Sequence, residues 1–202
     1  MKSLVKEPEQ TRRKILRAAF EEFYKNGFQA GSLNHIVDSA GATKGALFHH
    51  FKDKAELGYA VVSEVVRPYF KQRWMDPLAN SIDPIADLKR VFGNRPSDAA
   101  GPVRLEQGCP LNNLALEMSP LDERFRQCIE RVYVEWRECL EAALGRGVKS
   151  GKVRKDVSPR NVAAFIAAAH AGIMGMAKNA QSRELMRQAN EELVCYLDGL
   201  KP

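Results

Sequence analysis

Apolar side chains recur at three- and four-residue intervals along almost the whole chain, and that spacing constrains the fold more than any other feature. Ile15, Leu16, Ala19, Phe20 and Phe23 form one such stripe, and Gly27 follows as a stop signal. Leu57, Val61 and Val65 form another, as do Phe125, Ile129, Val132, Trp136, Leu140 and Ala143. No segment shows period-two alternation with β-branched residues, which a half-buried strand needs. The pattern predicts an all-α protein of about nine or ten helices.

Start signals agree with the stripes. A short helix fits Ser32 to Ala40, and Thr43 and Asp53 can each cap a helix, running to Phe48 or His49 and onward through Val65. Asp83-Pro84 and Ser158-Pro159 place a cap before a proline at the first helical position. Further helices are expected from Pro110 to Met118, from Asp122, and from Ser182 to Leu200. Residues 93–108 are turn-rich and are expected to form a mobile loop. Pro68 falls inside the fourth helix, where it removes a bond to the Glu64 carbonyl and predicts a kink.

Charge is uneven. The 202-residue chain carries 31 Lys and Arg against 25 Asp and Glu, a net +6. Residues 1–54 hold ten of the basic and six of the acidic groups, so +4 of the excess lies in the first quarter. A positive head attracts a polyphosphate, although a solubility surface would give the same count. Residues 1–10 are polar, without the apolar segment of a signal peptide. The apolar run 163–177 is too short to span a bilayer and contains His170. No membrane association is expected, and a cytoplasmic location is. Cys109, Cys128, Cys139 and Cys195 are scattered, without C-x-x-C spacing, as expected of reduced thiols.

One segment carries chemistry. A short helix, the turn Ala40-Gly41-Ala42 and a second short helix beginning Thr43-Lys44-Gly45-Ala46 have helix-turn-helix spacing. Small residues at Gly45 and Ala46 let a backbone approach a duplex. Thr43 can donate to a phosphate, and Lys44 supplies charge or a base-edge donor. His49 and His50 point about 100° apart on a helix, so they cannot chelate one metal. No metal-spaced cluster, paired carboxylates or nucleophile motif is present, so no cofactor and no catalytic residue are expected.

The string GFQAGSLNHIVDSAGATKGALFHHFKDKAEL, Gly27 to Leu57, resembles the signature of the tetracycline-repressor (TetR/AcrR) family. That resemblance implies a DNA-binding head over 8–54 and a larger helical ligand-binding and dimerisation domain over 55–202. It places Ser32 at a phosphate, and Thr43, Lys44, Gly45 and Ala46 on the recognition helix. It puts His49, His50 and Lys54 at backbone contacts, and Phe51 in the head's core. Two positions depart from the family pattern. Phe48 replaces a tyrosine, so a hydroxyl contact is missing. Gly31 stands where a threonine cap is common, which would weaken that helix start by about 1 kcal/mol or less.

The resemblance further implies a homodimer reading a palindromic operator and a small-molecule inducer that releases it. The Ala- and Gly-rich run 163–177 would pack against its copy. Phe92, Cys109, Asn112, Asn113, Met118, Tyr133, Trp136, His170 and Met174 are candidate pocket residues, apolar walls with a few polar groups. Two other readings stay open at this point. Cys109, preceding a helix, could act as a thiol sensor of electrophiles. Alternatively the chain could be a helical carrier or enzyme without specific DNA binding.

Overall fold

A computed structural model describes residues 6–93 and 104–202. Among the described residues every regular element is helical, as the periodicity predicts. The turn-rich stretch expected to be a loop falls largely on 94–103, outside the described residues. Its end is a single 3-10 turn, Leu105–Gln107.

The head is built from α1 (Lys6–Asn26), α2 (Leu33–Ala40), α3 (Lys44–His50) and α4 (Lys54–Val61). The predicted α1 stripe is the buried one: Ile15, Leu16, Ala19, Phe20 and Phe23 are all at most 5% exposed. Gly27 ends α1 at φ +83°, a left-handed conformation that favours glycine. The caps fall where the sequence puts them. Thr43 Oγ1 accepts from the Ala46 amide at 3.1 Å, and Asp53 Oδ1 from the Glu56 amide at 2.8 Å. Gly41, at φ +59°, ends α2 by donating to the Asp38 carbonyl.

Contrary to what the family pattern implied, α2 does not start weakly at Gly31. The cap of α2 is Ser32, whose hydroxyl accepts from the His35 amide at 3.4 Å, so no cap is lost at Gly31. Gly31 is there for space: a Cβ would lie 2.6 Å from the Phe23 ring.

After α4 the helical path continues through a π stretch (Val62–Val66), α5 (Arg67–Phe70), a second π stretch (Lys71–Met75) and α6 (Asp76–Ala79). The wide turns lie on either side of Pro68, where a single kink was expected. They also shift the buried face. Val66 rather than Val65 is buried, one residue beyond the four-residue spacing, because a π turn takes up an extra residue.

The remaining helices are α7 (Pro84–Gly93), α8 (Pro110–Met118), α9 (Glu123–Lys149), α10 (Pro159–Ala180) and α11 (Arg183–Asp198). Asp83, Asp122, Ser158 and Ser182 cap four of them through side-chain oxygens. The α9 stripe read from the sequence is buried throughout, with every member at most 2% exposed.

The chain forms two compact units: the first is the chain up to Pro68 with Asn113–Ile129, the second Tyr69–Asn112 with Glu130–Pro202. The first is therefore larger than the head expected over 8–54, because the end of α8 and the start of α9 pack into it. In the second, α11 packs against both α7 and α10 around a core that includes Ile85, Leu88, Ile166 and Leu197.

Candidate nucleic-acid interface

The seven residues of α3 divide cleanly by side. At 100° per residue, Lys44, Phe48, Gly45 and His49 fall on one arc, and Ala46, His50 and Leu47 on the other. All four of the first arc are exposed, whereas Leu47 is 1% exposed and seats the helix on the core. Phe51, just past α3, is buried as expected, and the Arg12 guanidinium lies over its ring at 5.1 Å. Arg12 also grips Glu64 with two bonds of 2.6 Å, tying α1 to the helical path beyond α4. That pairing holds the Glu64 carboxyl below its usual range.

Thr43 and Ser32 accept backbone N–H groups through their oxygens, which leaves each hydroxyl proton for an outside acceptor. His50 is half-buried, and burial, with its neighbours His49 and Arg12, lowers its pKa and disfavours the charged form. Lys54 is also half-buried. Its ammonium donates to the Gln29 carbonyl at 2.9 Å and lies 5.1 Å from the centre of the Phe28 ring. Burial lowers its pKa too, partly offset by Glu117 and Glu22. The ammonium keeps donors to spare for a phosphate.

Sequence reasoning missed what holds this arrangement together. The turn before α2 is clasped by Glu117, whose carboxylate accepts from the Phe28 amide at 2.9 Å and the Gln29 amide at 2.8 Å. Phe125 stacks edge-on to Phe28 and to Tyr59, with centroids 4.6 and 4.8 Å apart. Gly58 makes room for them: a Cβ there would lie 2.4 Å from Phe125 Cζ. Tyr59 donates to Asp122 at 2.7 Å, and burial with that bond pushes the phenol up to about 12. Arg124 pairs with Glu56 beside it. No local signal reveals these partners, since they come from distant segments.

The pocket candidates fall into separate groups. In the second unit the His170 ring lies 4.4 Å from Trp74, 5.5 Å from Trp136 and 6.0 Å from Phe92, centroid to centroid. Trp74 is the central member that sequence reading overlooked; its four-residue spacing from Phe70 was the available signal. Met174 is buried in the same unit. The Tyr133 hydroxyl donates to Asn112 at 3.5 Å, and burial, with Cys109 nearby, pushes its pKa up. Cys109 is 5% exposed, immediately before α8. Asn113 and Met118 belong to the first unit. Among the described residues no three His, Cys, Asp or Glu side chains are placed to hold a metal ion. No described helix is long and apolar enough to cross a membrane.

A short helix after a glycine-closed turn, seated by one leucine and with its other arc offered to solvent, is the geometry of a helix-turn-helix of the DNA-binding class. Comparison with known proteins narrows that class. Residues 15–61 match the model of bacterial regulatory proteins of the tetR family, and 84–193 match the tetracycline repressor-like C-terminal domain. The chain belongs to the tetracycline-repressor family of transcriptional regulators.

It is 34% identical over 143 residues to an HTH-type transcriptional regulator in the lacX 3' region of Lactococcus lactis subsp. lactis, covering 69% of this chain and 72% of that one. It is 25% identical to the HTH-type transcriptional repressor DhaR of Mycobacterium sp. (strain GP1), covering 88% and 87%. A TetR-family regulator from Cytophaga hutchinsonii shares the fold, with a TM-score of 0.85 over 96% of both chains at 19% identity.

Proposed function

We propose that this regulator is a cytoplasmic repressor that binds a palindromic operator as a homodimer and is released by a small-molecule inducer. The outward arc of α3 carries the reading. Lys44, Gly45, Phe48 and His49 are exposed, and the packing of the head leaves them free to meet a partner. With Ser32, Thr43, Ala46, His50 and Lys54 they form the proposed DNA-contacting set, Lys44 supplying a base-edge or phosphate donor.

Dimerisation is assigned to α10 and α11. Ala164, Phe165, Ala168, Gly172, Gly175 and Met176 are exposed along one side of α10, and Tyr196 of α11 lies 4.7 Å from Phe165. Neither Gly172 nor Gly175 has an atom within 4 Å of where a Cβ would sit. Small residues with open space around them suit close approach of a second copy, and a two-fold pair of heads suits a palindrome. The inducer is assigned to the second unit, which holds the aromatic cluster around His170 and, as a separate group, the Tyr133 and Asn112 polar side chains.

Selection of random duplex DNA by the purified protein, against excess non-specific competitor, tests the proposal. Recovery of a palindromic site is expected. Recovery of a single, non-repeated half-site would overturn the dimeric reading, and recovery of no site would overturn specific DNA recognition.

A further inference from the structure

Phe48 is 49% exposed at the middle of α3's outward arc, between Lys44 and His49. A single exposed apolar ring is ordinary on a protein surface. This one stands beside Gly45, and the pair is informative together. A Cβ at Gly45 would meet only Thr43 Oγ1, at 3.8 Å, an ordinary contact. The fold therefore has room for a larger residue there. The open backbone at Gly45 instead leaves a notch next to the ring, on the face of a helix in a head with excess positive charge.

A helix of about 10–12 Å fills a major groove about 12 Å wide, so a missing Cβ lets the helix axis come closer to the base edges. A phenyl ring offers no hydrogen bond to a base. Of the groups displayed in the major groove, the one it matches is the thymine C5-methyl. We propose that Phe48 is a specificity-determining residue that packs on the C5-methyl of a thymine in each operator half-site, with Gly45 allowing the approach. The inference rests on the operator-binding reading above and adds the chemistry of one base position to it.

The test uses the duplex recovered by selection and replaces its thymines, one at a time, with deoxyuridine, which removes only the methyl. The wild-type protein should lose about fourfold in affinity at one thymine of each half-site, the loss expected for one desolvated methyl group. Phe48→Ala should bind more weakly and be indifferent to that replacement, while Phe48→Tyr, which keeps the ring, should retain the sensitivity. Circular dichroism checks that both variants are folded. Wild-type indifference to every replacement, with operator binding intact, overturns the methyl contact and leaves the regulator reading standing. Full methyl sensitivity in Phe48→Ala assigns the contact to another residue and also overturns it. Failure of the wild type to hold any duplex against competitor overturns both readings at once.

Discussion

The inner and outer sides of the head obey different demands, and two glycines show it. On the inner side Gly58 is crowded: a Cβ would lie 2.4 Å from Phe125 and 2.7 Å from Phe28. On the outer side a Cβ at Gly45 would meet only Thr43 Oγ1, at 3.8 Å, an ordinary contact. The inner side is specified by the protein's own packing, so substitutions there should be felt in stability. The outer side is idle in the free protein, so substitutions there should be felt in DNA binding.

The strongest way to break that distinction is Gly58→Ala. Two aromatic rings would have to move, and the variant should lose about 1–3 kcal/mol of unfolding free energy in a denaturant titration. An unchanged midpoint would mean that the inner side is loosely packed. Glu117→Ala comes next. It strips acceptors from the Phe28 and Gln29 amides, of which the first is partly buried, and should cost about 1–2 kcal/mol by the same measurement. Wild-type stability in this variant would show that water replaces the carboxylate fully.

The outer side gives the opposite signature. Gly45→Ala should be as stable as the parent, or more stable by up to about 1 kcal/mol, because alanine favours a helix. Its affinity for the selected duplex should nevertheless fall, as read by fluorescence anisotropy. Lys44→Ala should unfold within about 0.5 kcal/mol of the parent, as exposed substitutions do. It should bind the selected duplex more weakly, and normal affinity would remove Lys44 from the contact set.

The smallest effect expected is from pH. The Glu64 carboxyl is lowered by Arg12, so folding favours its ionised form. The associated stability is present above the ordinary carboxylate pKa and is lost as pH falls through the depressed one. Arg12→Ala should flatten that part of the acid limb. Both side chains are partly solvated, so the change is small.

The same inner–outer difference explains which features could be read in advance. The stripes of α1 and α9, the caps at Thr43 and Asp53, and the glycine stops at Gly27 and Gly41 were all legible, whereas the family pattern puts the α2 cap at Gly31 and it lies at Ser32. Each legible feature depends on residues within about four positions, the reach of a helical turn. The candidate DNA-contacting residues came from the family resemblance, and the division of α3 that leaves Lys44, Gly45, Phe48 and His49 exposed and buries Leu47 came from the structure. The π turns were not legible: periodicity assigned Val65 to the core, and an extra residue per wide turn moved Val66 there instead. Trp74 was overlooked because its partners, Phe92, Trp136 and His170, lie on three other helices.

By itself, then, the sequence determined an all-helical chain, the positions of most of its caps and stops, and a helix-turn-helix in a head with excess positive charge. Those properties follow from local periodicity, side-chain oxygens near backbone amides, and charge. Only the tertiary structure decided that Lys54 is tied to Gln29, that Glu117 clasps the turn before α2, and that Asn113–Ile129 belongs to the first unit. Each of these joins groups far apart in the chain. Their pairing is set by which apolar faces are buried together, and no spacing rule along the sequence encodes it.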